Sequence, residues 1–348
     1  MFKIGKDKIG KDQPCFVIAE AGVNHNGNLE TALELVRKAK EVGANCVKFQ
    51  TFKADSVITR DAPKADYQLK VTSAKESQFE MLKKLELSKA DFRKISDYCK
   101  EINITFLSTP YNKRDADLLY SLNVDAFKIA SGQLVELSFL SYVAKFKKPI
   151  IISTGMATLA EVDDAVRAIR HAGNNEIVVL QCTTNYPSDI SEANIKAMGS
   201  MGKSFDLYYG YSDHVSENYA CYAAVALGAK VVEKHFTLDK SMRGPDHSAS
   251  LDVVEFKNLI SGIRAVESSL GSSVKSPTTS ELKNISGMRR SIVANQLIHA
   301  GTIIKESMLE FKRPGTGIPP NQIDLFINKK AKQDILQDAL ITFSMIEW

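Results

Sequence analysis

The sequence predicts an α/β protein: a (β/α)8 TIM barrel followed by a small C-terminal β-rich domain. Eight short apolar runs rich in Val, Ile, Phe and Tyr each close on a polar or ionisable residue: Glu20, Lys48/Gln50, Thr109, Ser131, Ser153, Thr184, Ser212/His214 and His235. Helix-like stretches separate the runs, so they read as parallel βα units, and eight such units within about 270 residues suffice to close a barrel. The 348-residue chain exceeds one barrel, which leaves room for a second small domain.

The first unit reads as a strand over 15–23, the loop NHNGN, and a helix with Leu29, Ala32, Leu33, Val36 and Ala39 at helical spacing. Asn28 is its expected N-cap and Gly43 its terminator. Strand two covers 46–52. A long excursion to residue 87 follows, and insertions of this length in barrels serve as lids or substrate loops. The remaining strands are expected over 104–110, 126–131, 149–155, 176–184, 206–214 and 230–238, each followed by an amphipathic stretch. The polar loop DKSMRGPDHSASL, after strand eight, should sit over the barrel mouth. Residues 271–285, rich in Ser, Thr and Lys, read as a linker between a barrel at 1–270 and a β-rich domain at 286–348.

Composition narrows the class. With 44% hydrophobic and 25% charged residues the chain is an ordinary globular protein. No apolar run approaches the ~18 residues needed to span a bilayer, and the start MFKIGKDKIGKD lacks the apolar core of a signal peptide, so a cytoplasmic location without membrane contact is expected. Five cysteines form no CxxC pair, which speaks against structural zinc and disulfides. A net charge of +4, without a basic block, offers nucleic acid little purchase and suits a small anionic substrate.

The strand ends carry the chemistry. His214 and His235 close neighbouring strands, so their imidazoles can converge on a catalytic divalent metal with positions open to water or substrate. A pair of hydrogen-bonded core histidines is the plainer alternative. His25 and His247 lie on mouth-side loops, and His171 and His299 read as surface positions. Lys48 and Lys128 interrupt apolar strands, where an ammonium group is costly without a compensating charge. A bound phosphate or carboxylate would supply it, with Thr109, Ser131, Ser153 and Ser212 adding hydroxyls, and a salt bridge to Glu20 is the structural alternative. Glu20 and Asp246 are the acids best placed for proton transfer or hydroxyl binding. The glycines form no dinucleotide fingerprint after a strand.

At these residues the chain resembles the sialic acid synthase family, the N-acetylneuraminate synthases and related nonulosonate synthases. The matching motifs are IAEAGVNHNG (18–27), VKFQTFKAD (47–55), KADYQ (64–68), LSTP (107–110), FKIASG (127–132), ISTGMAT (152–158), NYP (185–187), GYSDH (210–214), VALGAKVVEKHFTLD (225–239), GPDHSAS (244–250) and KRPGTGI (312–318), in order and nearly end to end. The resemblance implies a C-terminal antifreeze-like (SAF) domain. It also implies a reaction, in which phosphoenolpyruvate condenses with the open-chain aldehyde of an N-acylated mannosamine-type sugar to give a nine-carbon 2-keto acid and phosphate. By the same resemblance His214 and His235 would bind manganese, or magnesium or cobalt. Lys48, Gln50, Thr109, Lys128, Ser131, Ser153, Thr184 and Ser212 would line the substrate pocket. Glu20, Tyr186 and Asp246 would meet the sugar or the reacting centre, and Arg313 would reach the sugar's acyl group across a domain-swapped homodimer.

One departure bears on the sugar. Many relatives carry an acid after the Ser-Gly of strand four, whereas this chain has Gln133, an amide that hydrogen-bonds but cannot act as a base. N-acetylmannosamine is the first expected acceptor, and a 2,4-diacetamido-2,4,6-trideoxymannose, giving a legionaminate-type product, is the alternative. A Schiff-base aldolase using Lys128 or Lys48 and a non-catalytic sugar-binding protein are the competing classes.

Overall fold

The computed structural model describes residues 1–65, 68–69, 72 and 76–348. Asp66 and Tyr67 of the KADYQ motif lie outside the described residues. The chain divides into two compact units, Met1–Gly271 and Ser272–Trp348.

The first unit opens with a hairpin absent from the sequence reading, β1 (Phe2–Ile4) and β2 (Asp7–Ile9), joined through Gly5 at φ +59°. The alternation in FKIGKDKI was its signal. Ile4 and Ile9 are fully buried against Phe16, Cys46, Leu107, Ala126, Ile151, Val178 and Val231, so the hairpin plugs the end of the barrel opposite the mouth.

Eight parallel strands follow: β3 (Phe16–Gly22), β4 (Cys46–Thr51), β5 (Thr105–Pro110), β6 (Phe127–Ile129), β7 (Ile150–Ser153), β8 (Ile177–Cys182), β9 (Tyr208–Asp213) and β10 (Val231–His235). Their order, β5-β4-β3-β10-β9-β8-β7-β6, is that of a (β/α)8 barrel, with β5 and β6 side by side at the seam. Side chains alternate across each strand. On β3, Val17 and Ala19 pack outward under the helices, whereas Phe16, Ile18 and Glu20 form an inward row. The helix after β3 runs Leu29–Glu41, with the Asn28 side chain accepting from the Thr31 N–H and Ala32, Leu35, Val36 and Ala39 buried. Gly43 follows at φ +90°, a conformation that only glycine adopts without strain.

Within the excursion after β4, which holds helices Ala54–Val57 and Gln78–Lys84, Met81 and Leu85 pack against Val23 and Phe52. No helix among the described residues is long and apolar enough to cross a membrane.

The second unit carries strands β11 (Ser291–Ala294), β12 (Leu309–Lys312), β13 (Lys330–Ala331) and β14 (Ile346–Glu347), paired in two small antiparallel sheets around Ile292, Ile298, Phe326 and Ile335. Ahead of them, the segment read as a linker holds a helix, Thr279–Met288, started by a reciprocal capping box between Thr278 and Glu281. None of its residues is buried, which is why its composition resembles that of a loop.

Candidate active site

The inward rows end together at the C-terminal mouth. Glu20, Lys48, Gln50, Thr109, Lys128, Ser131, Gln133, Ser153, Thr184, Tyr186, Ser212, His214 and His235 line one cavity of about 460 Å³. Asp246 lines an adjoining chamber that shares His235, Gln50 and Tyr186 with it. Arg313 is exposed in the second unit, directly after β12.

Ladder register sets the neighbours. Glu20 stands beside His235 on one side and Lys48 on the other. Three of the predicted residues fall just beyond their strands rather than inside them. Ser131 begins a 3-10 turn, Ser131–Gln133, after a β6 shorter than expected, Thr184 lies two residues past β8, and His214 is one past β9. The chain turns early after β6, where the Gln133 N–H bonds to the Ala130 carbonyl. Gly155 packs against this turn, and its N–H donates to Ser131 Oγ at 3.0 Å. A side chain there would strike Thr184 Oγ1 at 2.1 Å, so only glycine fits.

On the cavity floor two buried lysines meet two buried glutamates. Lys48 Nζ lies 2.6 Å from Glu20 Oε2 and 3.7 Å from Glu233 Oε1, and Lys128 Nζ lies 3.4 Å from Glu233 Oε1. Ser212 Oγ donates to Glu233 at 3.2 Å, Lys48 to Thr109 at 3.3 Å, and Gln50 Nε2 to Glu20 Oε1 at 3.2 Å. Burial raises the Glu20 carboxyl despite Lys48 beside it. Burial opposes the charge on Lys48 as well, but Glu20 and Glu233 hold its ammonium above the ordinary value. Lys128 is lowered, because burial there outweighs Glu233. The lysines thus have protein counter-charges, as the salt-bridge alternative held, while still lining the open cavity.

His214 and His235 converge, with ring centroids 5.4 Å apart and the Tyr186 ring 4.0 Å from His214. His214 Nδ1 donates to the Thr183 carbonyl at 2.7 Å, which leaves the Nε2 lone pair for a ligand. His235 Nδ1 is buried without a hydrogen bond, 3.9 Å from Asp246 Oδ2. Burial lowers His235 well below the imidazole range and pushes Asp246 up to about 6. Ser153 Oγ, Gln133 Oε1 and Glu233 Oε2 are buried without a protein partner too. Buried polar atoms are seldom left unpaired, and their gathering in one cavity marks it as a ligand site.

Comparison with known proteins places these features in a family. The NeuB family matches residues 35–275, more than half of the chain, and the SAF domain matches residues 289–347. The chain belongs to the NeuB family. It is 46% identical over 327 residues to N,N'-diacetyllegionaminic acid synthase of Campylobacter jejuni, a match covering 93% of this chain and 98% of that protein. It is 35% identical over 341 residues to human N-acetylneuraminate-9-phosphate synthase, covering 97% and 94%. Among solved structures, N-acetylneuraminic acid synthetase of Leptospira borgpetersenii in complex with citrate superposes with a TM-score of 0.72 at 29% identity, covering 82% of this chain and 94% of that one. The barrel with an antifreeze-like C-terminal domain is therefore the fold of the family.

The cavity also holds residues that the strand ends do not point to, among them Glu233, Cys182 and Tyr111. Glu233 stands two positions before His235 on the same inward row, and Cys182 two before Thr184, so strand parity was the signal for both. Tyr111, one residue past β5, donates to Gln50 Oε1 at 3.2 Å and has no such signal. Of the two loop histidines, His247 joins neighbouring loops at the mouth. His247 shares hydrogen bonds with Thr237 Oγ1 at 2.7 Å and Asn26 Oδ1 at 3.2 Å, while Asn24 reaches Ser250 Oγ at 2.9 Å, fastening the loop that bears Asp246 to the loop after β3. Burial holds His25 and His247 near pKa 4, so both stay neutral.

Proposed function

We propose that this protein is a nonulosonate synthase, which condenses phosphoenolpyruvate with the open-chain aldehyde of an N-acylated mannosamine-type sugar. The observation that carries it is the meeting, in one cavity, of Lys48 and Lys128 with two convergent imidazoles. The ammonium groups, with the hydroxyls of Thr109, Ser131, Ser153 and Ser212, suit the phosphate and carboxylate of phosphoenolpyruvate. Overall, the methylene carbon of phosphoenolpyruvate bonds to the aldehyde carbon, one water is consumed, and phosphate leaves from the former enol carbon to give a 2-keto acid. Asp246 and Glu20, both raised by burial, can give or take a proton at the aldehyde end.

The histidine pair fits a divalent metal, manganese in our reading. Among the described residues no group of three or more His, Cys, Asp or Glu is arranged to hold an ion, so His214 and His235 would hold it and substrate or water would complete its shell. When bound it would polarise the aldehyde oxygen. A swapped homodimer, in which Arg313 of one copy serves the cavity of the other, belongs to the same proposal and rests on the family resemblance.

Both acceptor sugars remain in play, and the 46% match to a diacetyllegionaminic acid synthase favours the diacetamido one. Gln133 supports a site that accepts hydrogen bonds. Its Nε2 donates to the Pro110 carbonyl at 3.0 Å and its Oε1 is left unpaired, so the amide presents an oxygen where an acid-bearing relative would also present one. Phosphate release from phosphoenolpyruvate, measured with and without manganese against a panel of acylated hexosamines, tests the proposal. Turnover only when an acylated mannosamine is present is expected, and covalent sugar trapped on a lysine by borohydride would replace it with a Schiff-base aldolase.

A further inference from the structure

Beside the catalytic cavity lies a second chamber of about 370 Å³, continuous with it through Gln50, Tyr111, Tyr186 and His235. One wall is apolar, built from Val23, Phe52, Val57, Ile58, Met81 and Leu82. Val23, Phe52 and Met81 belong to a buried cluster, which fixes that wall in place. The polar groups at the rim are largely spent on one another: Tyr111 on Gln50, Gln50 on Glu20, and Gln78 on Gln68. Among the described residues lining the chamber there is no Lys or Arg, and Asp246 faces into it.

Such a lining treats substituents unequally. A methyl group gains contact with the wall. A hydroxyl gives up water and finds few unpaired partners, and a phosphate ester meets a carboxyl with no Lys or Arg among the described lining residues to offset it. We propose that this chamber receives the far end of the acceptor sugar and selects one ending in methyl groups, a deoxy sugar with an acylated amine, over one ending in hydroxyls or a phosphate. This rests on the synthase reading, which puts the aldehyde at His235 on the shared wall.

The test is kcat/KM by phosphate release for N-acetylmannosamine, its 6-phosphate and 2,4-diacetamido-2,4,6-trideoxymannose. Wild type should favour the deoxy sugar at least tenfold over each of the others. Val57→Thr, at a position 36% exposed and so tolerant of change, and Leu82→Gln should each narrow that preference at least threefold by raising KM for the deoxy sugar, with KM for phosphoenolpyruvate within twofold of wild type. Equal use of the three acceptors, preference for a hydroxylated or phosphorylated one, or an unmoved ratio in both variants overturns the chamber's role while leaving the synthase reading intact. Absence of phosphate release with all three acceptors overturns the synthase reading and the inference with it.

Discussion

Lys48 Nζ sits 2.6 Å from Glu20 Oε2, with both side chains shut off from solvent on adjacent strands of the barrel. Replacing Lys48 by Met leaves that carboxyl buried with its nearest cation gone, and its pKa climbs further above the value in the unfolded chain. A carboxyl raised in the folded state stabilises fully below the unfolded pKa and loses that contribution as pH rises through the folded value. In metal-free protein, the Tm deficit of Lys48→Met relative to wild type should therefore widen from pH 5 to pH 8. A deficit that stays constant over that range would show that Glu20 does not depend on this lysine.

Lys128 makes its closest acidic contact with Glu233 at 3.4 Å, and burial lowers its pKa, so it has the most to gain from an incoming anion. Lys128→Met should raise KM for phosphoenolpyruvate at least tenfold and KM for the sugar by less than threefold. Equal losses for the two substrates would remove the lysine from the anion pocket.

His214 and His235 form the proposed metal pair. Titrating manganese while following the free-ion resonance should show one tight site per chain in wild type, lost in His214→Ala and in His235→Ala. EDTA-treated enzyme should lack turnover and regain it with manganese; full activity in metal-free buffer would sink the assignment.

Behind the histidines, facing away from the cavity, Lys234 Nζ bonds to Asp213 Oδ2 and to the Val215 carbonyl, both at 2.5 Å, and to the Glu217 carbonyl at 2.8 Å. Asp213 Oδ1 accepts from the Val215 N–H at 2.9 Å. This knot ties the residues adjoining His214 and His235 together. Removing one partner of a buried pair typically costs about 3–5 kcal/mol, so Lys234→Met should lower unfolding stability by that order, and Asp213→Leu combined with Lys234→Met should recover part of it. Denaturant titration of the three proteins reads both effects; an additive double variant would mean the pair is uncoupled.

Arg313 is expected to act in trans. Mixing inactive Arg313→Ala with inactive His235→Ala under conditions of subunit exchange should restore activity, because one of the two sites in a mixed dimer has both groups intact. Exchanged mixtures that stay inactive would place the arginine in its own chain's site or outside the reaction.

The eightfold recurrence of β-branched runs followed by amphipathic stretches determined the barrel without reference to distant contacts, because a strand buried on both faces needs an apolar run and each parallel return needs a helix. The residues ending those runs were legible as a site for the same reason: a lysine or imidazole in an otherwise apolar run needs something to pay for its burial. Pairing was not legible. That Glu233 sits between Lys48 and Lys128, and that Lys234 beside it faces the other way to hold Asp213, follows from strand parity and ladder register, which a sequence read only at its strand ends does not weigh. Likewise the β1–β2 hairpin was visible as an alternation in FKIGKDKI, but its place beneath the barrel depended on Ile4 and Ile9 meeting residues from distant strands. Local periodicity is written into neighbouring residues; charge partners and chamber walls are made by segments as distant in the chain as Val23 and Asp246, and only the closed barrel brings them within reach of one another.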